Sequence, residues 1–136
     1  LNYTRGYNRF LAYGHSKLCN ILFARALADK LRQKGSRVTI NAVHPGIVAT
    51  DIVVNRKTGA FRWVAALMRL FFVSAETGAE TSVYLASAPA AAAYSGEYFY
   101  RCHVEPSSPA SHNLENAYRL YAVSLALAGL PDDPLA

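Results

Sequence analysis

Residues 13–46 read YGHSKLCNILFARALADKLRQKGSRVTINAVHPG, and the order of patterns in this stretch decides the fold. Its first part carries a helical apolar stripe formed by Leu18, Ile21, Leu22, Leu27 and Leu31. Basic residues crowd the end of the stripe and Gly35 stands where a C-terminal cap is expected, which predicts a helix of about five turns. Residues 37–44 then predict a mostly buried strand, which the Pro45-Gly46 pair ends abruptly. A helix, a buried strand and a Pro-Gly turn therefore follow one another in this stretch.

Tyr13 and Lys17 stand at the start of the predicted helix, four residues apart. This spacing puts the phenol and the ammonium side by side on one helix face. An ammonium beside a phenol favours the phenolate, so Tyr13 would exchange a proton with an alcohol or carbonyl near neutral pH. The Lys17 donors would also hold a polyhydroxyl ligand. A Tyr-x-x-x-Lys pair alone is a weak signal in a chain with nine tyrosines, so the residues that follow it decide its meaning.

Three ordered motifs resemble the C-terminal half of a short-chain dehydrogenase/reductase. They are Tyr13-x-x-x-Lys17 on a helix, a strand that ends in Pro45-Gly46, and Thr50 four residues later. The phrases YGHSKLCNILF at 13–23, ETGAETSVY at 76–84 and SGEYF at 95–99 are similar to retinol-dehydrogenase-like and WW-domain-containing-oxidoreductase-like members of that family. The resemblance covers nearly the whole chain.

The resemblance implies a fold and a domain organisation. Residues 1–136 are expected to form a single partial domain, the C-terminal portion of a Rossmann-type doubly wound parallel sheet, with two strands and about four helices visible. The family's Gly-rich phosphate-binding turn does not occur in the sequence, and no serine precedes Tyr13 to take the family's role of binding the substrate oxygen. Because the chain also begins without Met, we expect a fragment that is inactive by itself.

The resemblance also assigns roles to individual residues. Tyr13 would be the acid/base, and Lys17 would favour its phenolate and bind the nicotinamide ribose hydroxyls of NAD or NADP. Pro45, Gly46, Ile47 and Thr50 would border the nicotinamide. The alternative for this loop is a simple turn, in which Pro45-Gly46 ends the strand and Thr50 or the next residue caps a helix.

Residues 60–73 predict an aromatic-rich helix that is apolar around most of its circumference. In short-chain dehydrogenases this region is the substrate lid, and an apolar lid would suit an apolar alcohol or carbonyl such as a retinoid, steroid or lipid. The same segment could rest on a membrane surface as a peripheral contact, or could be an ordinary core helix.

Three further elements are predicted downstream. Ser74 starts a helix that Pro89 ends, residues 96–100 form an edge strand, and Asn113 caps a last helix that Gly129 ends. With so little sheet, a non-catalytic interaction module is the alternative to an enzyme. The family's frequent pairing makes a homodimer of the intact protein plausible.

The overall composition narrows the class of protein. The formal charge is +5 and the pI is near 9.4, but the basic residues are scattered, so we expect no nucleic-acid partner. Cys19 and Cys102 lack metal-ligand spacing and the four histidines are dispersed, so we expect no metal. There is no signal peptide and no apolar run near the roughly 20 residues that span a bilayer, so a cytoplasmic or membrane-associated location is expected.

Overall fold

The structure, a computed structural model, describes residues 6–46, 74–130 and 133–135. Within these ranges three helices and three strands follow one another as α1 (Arg9–Gln33), β1 (Ala42–His44), α2 (Ala75–Ser87), β2 (Tyr98–Tyr100), β3 (His103–Val104) and α3 (Leu114–Leu127). Two short 3₁₀ helices, Pro89–Ala93 and Pro109–His112, follow α2 and precede α3. The predicted helix over 60–73 lies outside the described residues. The mixed α/β class is confirmed, as is the resemblance to part of a Rossmann-type fold.

The described residues divide into two units. The first contains α1 and α3 together with residues 92–98 and 104–113, and the second contains residues 43–46, α2 and residues 99–103.

Helix α1 begins and ends at side-chain and backbone caps. The Asn8 carboxamide oxygen accepts from the N–H groups of Phe10 and Leu11 at 3.0 and 3.3 Å, so the helix starts at Arg9, one turn before Tyr13. At the other end Gly35 has φ +65° and the Ser36 N–H donates to the Leu31 carbonyl at 2.9 Å. This is a Schellman cap, and the predicted cap at Gly35 is confirmed.

The core of the first unit lies between α1 and α3. Leu22 and Ala26 of α1 are buried with Ala117 and Tyr121 of α3, and the Phe23 and Tyr121 rings are 5.6 Å apart. Alanines at positions 24, 26 and 28 are all buried, because small side chains let neighbouring backbone approach the helix closely. The second half of α1 is therefore enclosed, whereas its first turns are mostly exposed.

A polar cluster joins α1 to the segment before α3. The Arg25 guanidinium donates to His112 Nδ1 at 2.8 Å and to Ser107 Oγ at 3.2 Å. Because arginine can only donate, Nδ1 must accept, and a neutral His112 carries its proton on Nε2, 3.3 Å from Ser107 Oγ. Ser107 Oγ then donates to buried Ser111, whose hydroxyl donates to the Ser108 carbonyl. The contacts assign every proton in this chain of hydrogen bonds.

The three strands form one sheet in the order β1-β2-β3. The Gly96 N–H donates to the Ile40 carbonyl and the Ala42 N–H to the Glu97 carbonyl, so partners advance together along both segments, as in parallel pairing. The sequence predicted two strands, and the third, β3, follows β2 through a tight turn. Strand β1 is shorter than the predicted 37–44, because side chains make several of the contacts before residue 42 that a strand ladder would make.

In the second unit, α2 packs beside the end of β2. The Ser74 hydroxyl accepts from the Thr77 N–H at 3.2 Å, which confirms the predicted start of this helix. The ring of buried Phe99 lies 6.4 Å from that of Tyr84 on α2. No helix within the described part of the chain is long and apolar enough to cross a bilayer.

Candidate active site

Tyr13 and Lys17 lie on one face of α1, in its second and third turns. The Lys17 ammonium nitrogen is 5.2 Å from the centroid of the Tyr13 ring. This places the cation within the roughly 6 Å over which a ring face attracts it. The structure therefore brings together the two side chains that the spacing predicted to be neighbours.

Both side chains are open to solvent. Tyr13 is 65% exposed and Lys17 is also exposed, and Lys17 makes no ion pair within the described residues. The ammonium therefore keeps hydrogen-bond donors that a ligand's hydroxyl groups could use. Ser16, between them, donates its hydroxyl to the Tyr13 carbonyl at 2.7 Å, which adds a side-chain bond to this turn of the helix.

Pro45 and Gly46 follow directly after β1, in the second unit. Pro45 is exposed, and Gly46 is half-buried with a φ of +80°, a conformation that only glycine adopts without strain. The predicted cofactor residues Ile47 and Thr50 lie outside the described residues. Of the six predicted site residues, the structure brings together Tyr13 and Lys17 and describes the Pro45-Gly46 turn separately.

Asn41, just before β1, holds the two parallel segments in register. Its Nδ2 donates to the Tyr94 carbonyl and its Oδ1 accepts from the Glu97 N–H, both at 3.0 Å. In regular parallel pairing the Ala42 N–H would donate to the Gly96 carbonyl, but here it donates to the Glu97 carbonyl. The Glu97 N–H is therefore left without a backbone partner on the neighbouring strand and bonds to the Asn41 side chain instead. Asn41 therefore has a structural role in the pairing of these two segments.

Sequence reasoning missed the aromatic contact beside the Pro45-Gly46 turn. His44, the last residue of β1, stacks on Tyr100, the last residue of β2, with ring centroids 4.9 Å apart and planes at 26°. The only available signal was that each residue ends a predicted strand. Among the residues described here, no three His, Cys, Asp or Glu side chains come together in a way that could hold a metal ion.

Comparison with known proteins relates the chain to one family. Residues 2–60, which contain Tyr13, Lys17 and the Pro45-Gly46 turn, match the short chain dehydrogenase family. Human retinol dehydrogenase 11 is 43% identical over 127 residues, and human retinol dehydrogenase 14 is 40% identical over 134 residues. These alignments cover 93% and 96% of this chain. The chain is therefore similar to the short chain dehydrogenase family over residues 2–60, and to retinol dehydrogenases over most of its length.

The resemblance to retinol-dehydrogenase-like members is thereby confirmed. A further relative is the cattle dehydrogenase/reductase SDR family member 13, 40% identical over 123 residues, which are 88% of the chain and 31% of that protein. The chain spans 39% of the length of each of the two human retinol dehydrogenases.

Proposed function

We propose that this chain forms the C-terminal catalytic part of an NAD- or NADP-dependent oxidoreductase that interconverts an apolar alcohol and its carbonyl. Its residues would complete one Rossmann-type domain together with further residues of the protein. The observation that carries the proposal is the pairing of exposed Tyr13 with the Lys17 ammonium, 5.2 Å from the ring centroid. The names of the similar retinol dehydrogenases support an apolar alcohol as the substrate class.

The residues present fit one end of a dinucleotide. Lys17 offers an ammonium with no ion-pair partner in the described part of the chain, so its N–H donors can bind ribose hydroxyls. Gly46, at a positive φ, leaves its stretch of backbone without a side chain. The sequence contains no Gly-rich turn for the phosphates. The fit therefore concerns the nicotinamide end, and we infer that the isolated chain is inactive.

When bound, the nicotinamide cofactor accepts or donates the hydride. In the oxidation, the Tyr13 phenolate oxygen accepts the proton of the substrate hydroxyl, and in the reduction the phenol returns a proton to the carbonyl oxygen. Lys17 stabilises the negative charge on the Tyr13 oxygen and donates hydrogen bonds to the ribose hydroxyls. Pro45, Gly46, Ile47 and Thr50 would border the nicotinamide, as the family resemblance implies.

The proposal is tested by Tyr13→Phe in the full-length protein. We expect turnover of an apolar alcohol such as retinol to fall by roughly 10²- to 10⁴-fold, the range for loss of a general acid–base group. Binding of NADH and NADPH, followed by cofactor fluorescence, should stay within about twofold of the unchanged protein, because the phenyl ring and Lys17 remain.

The matched control is Tyr7→Phe, which removes the hydroxyl of another exposed tyrosine upstream of the same helix. It should leave turnover unchanged. Substantial turnover in Tyr13→Phe would contradict the proposal.

A non-catalytic interaction module is the second candidate. Tyr7, Phe10 and Leu11 at the start of α1 are 70%, 74% and 57% exposed, an apolar surface that another protein could cover. The catalytic proposal has the rest of the domain cover the same surface. The coding sequence upstream of Leu1 distinguishes the two, since only the catalytic proposal requires a Gly-rich turn and a serine there. The cytoplasmic location, the homodimer and the membrane contact through 60–73 stay predictions from the sequence.

A further inference from the structure

The stacked rings of His44 and Tyr100 mark the ends of two neighbouring strands. His44 closes β1 and Tyr100 closes β2, and their centroids are 4.9 Å apart. The pairing before these residues is parallel, so both rings lie at the carboxyl edge of the two strands. In open α/β sheets ligands bind outside that edge.

Tyr100 has a firmly held backbone. The turn that follows consists of Arg101 and Cys102, both with positive φ (48° and 62°), so two residues reverse the chain into β3. The Cys102 N–H donates to the hydroxyl of buried Thr81 at 3.2 Å, which ties the turn to α2. The guanidinium carbon of Arg101 lies 5.1 Å from the Tyr100 ring centroid. The turn that follows Tyr100 therefore restricts its backbone, and the Arg101 side chain contacts its ring.

His44 directly precedes the turn. Its side chain is exposed, and the next two residues are Pro45, with a restricted φ, and Gly46 at φ +80°. The direction in which this turn leaves the sheet is therefore set by the backbone at His44. A stacked ring on Tyr100 restricts that backbone, because the imidazole cannot rotate away without losing the contact.

We propose that His44 and Tyr100 are positioning residues, whose stack holds the Pro45-Gly46 turn in the orientation that meets the nicotinamide cofactor. The proposal rests on the proposed function and adds two residues to that site. Neither ring is proposed to touch the cofactor. Both act through the turn, so they should affect cofactor affinity and leave the proton transfer at Tyr13 unaffected.

The first test observes the stack without cofactor. In the imidazole NMR spectrum of the full-length protein, the ring current of Tyr100 should shift the His44 carbon-bound protons upfield. Tyr100→Leu should remove that shift, and Tyr100→Phe should retain it. His103→Ala, which deletes a different exposed imidazole on β3, should leave it unchanged. A His44 signal that Tyr100→Leu does not move would overturn the proposal.

The second test measures cofactor affinity in the same variants. Tyr100→Leu should weaken NADH and NADPH binding by roughly two- to tenfold, the range spanned by the loss of one aromatic pair, with kcat at saturating cofactor within about twofold. Tyr100→Phe and His44→Phe should each bind the cofactors as tightly as the unchanged protein does, because each variant keeps two stacked rings. Circular dichroism at 222 nm confirms that each variant is folded.

The failures of the two proposals are distinguishable. Unchanged affinity in a folded Tyr100→Leu, with Tyr13→Phe inactive, rejects the positioning role and leaves the catalytic assignment standing. Full turnover in Tyr13→Phe, or no binding of either cofactor by the unchanged protein, rejects the proposed function and with it the positioning role.

Discussion

Gly96 packs against Ala28 so closely that a methyl group on its Cα would lie 3.2 Å from the Ala28 Cβ. Gly96 also has a φ of +84°, and its N–H donates to the Ile40 carbonyl at 2.7 Å. Gly96 therefore allows the segment before β2 to pack against α1 and, at the same residue, to bond to the segment before β1. The α/β packing of the first unit depends on this close approach.

Gly96→Ala should destabilise the chain by about 2–4 kcal/mol, the sum of the penalty for a side chain at positive φ and the cost of overpacking. Gly129→Ala is the matched control, because Gly129 has a φ of +70° with nothing within 4 Å of the added methyl group. It should cost only about 1–2 kcal/mol. Urea unfolding followed by circular dichroism measures both, and equal losses would contradict the close-packing explanation.

Asn41→Leu should lower the free energy of unfolding by about 2–3 kcal/mol, because it leaves the Tyr94 carbonyl and the Glu97 N–H without their side-chain partner. The control is Asn20→Leu on the exposed side of α1. Its effect should stay within about 0.5 kcal/mol. An Asn41→Leu protein as stable as the unchanged chain would show that water replaces the carboxamide.

Arg25 and His112 should be energetically coupled. Arg25→Met and His112→Phe each break the 2.8 Å bond, so a double-mutant cycle in urea should give a coupling of about 1 kcal/mol or more. The cycle of Arg25→Met with Arg119→Ala, an exposed residue on α3, should give none within about 0.5 kcal/mol. Equal coupling in both cycles would mean that the first reports only general destabilisation.

The stability of the chain should fall in acid through Asp133. The 2.6 Å bond from the Lys30 ammonium, followed by those from the Leu135 N–H and the Tyr121 hydroxyl, holds the pKa of the Asp133 carboxyl below its ordinary value of 3.8. Because the folded pKa is the lower one, the contribution is complete above the unfolded value and is lost as pH falls through the folded value.

Urea unfolding at pH 7 and at successive values below pH 4 measures this loss. Asp133→Asn should be less stable than the unchanged chain at pH 7, and the difference should shrink as the pH falls below about 4. Glu80→Gln, on the exposed surface of α2, is the control and should give a difference that does not follow this course. A pH-independent deficit in Asp133→Asn would reject the ion pair as its source.

Local signals in the sequence predicted the element ends well. Ser74 and Asn113 cap their helices as expected, and Gly35 and Gly129 end theirs with positive φ. These features depend on residues within a few positions of each other. The same is true of Tyr13 and Lys17, whose contact is a property of one helix.

Contacts between distant parts of the chain were not predictable in this way. Strand β3 was missed because its turn uses Arg101 and Cys102, which lack the usual preference for positive φ, and because the Thr81 hydroxyl that supports it lies 21 residues away. The stack of His44 on Tyr100 likewise requires that β1 and β2 be neighbours.

The sequence by itself determined the family resemblance, the described helices and the contact of Tyr13 with Lys17, because short-range backbone preferences and side-chain spacing carry that information. Tertiary structure alone decided which strand residues pair, that the Asn41 side chain bonds to the Glu97 N–H, and that the His44 ring stacks on Tyr100. These outcomes depend on hydrogen-bond partners and packing surfaces that only folding brings together.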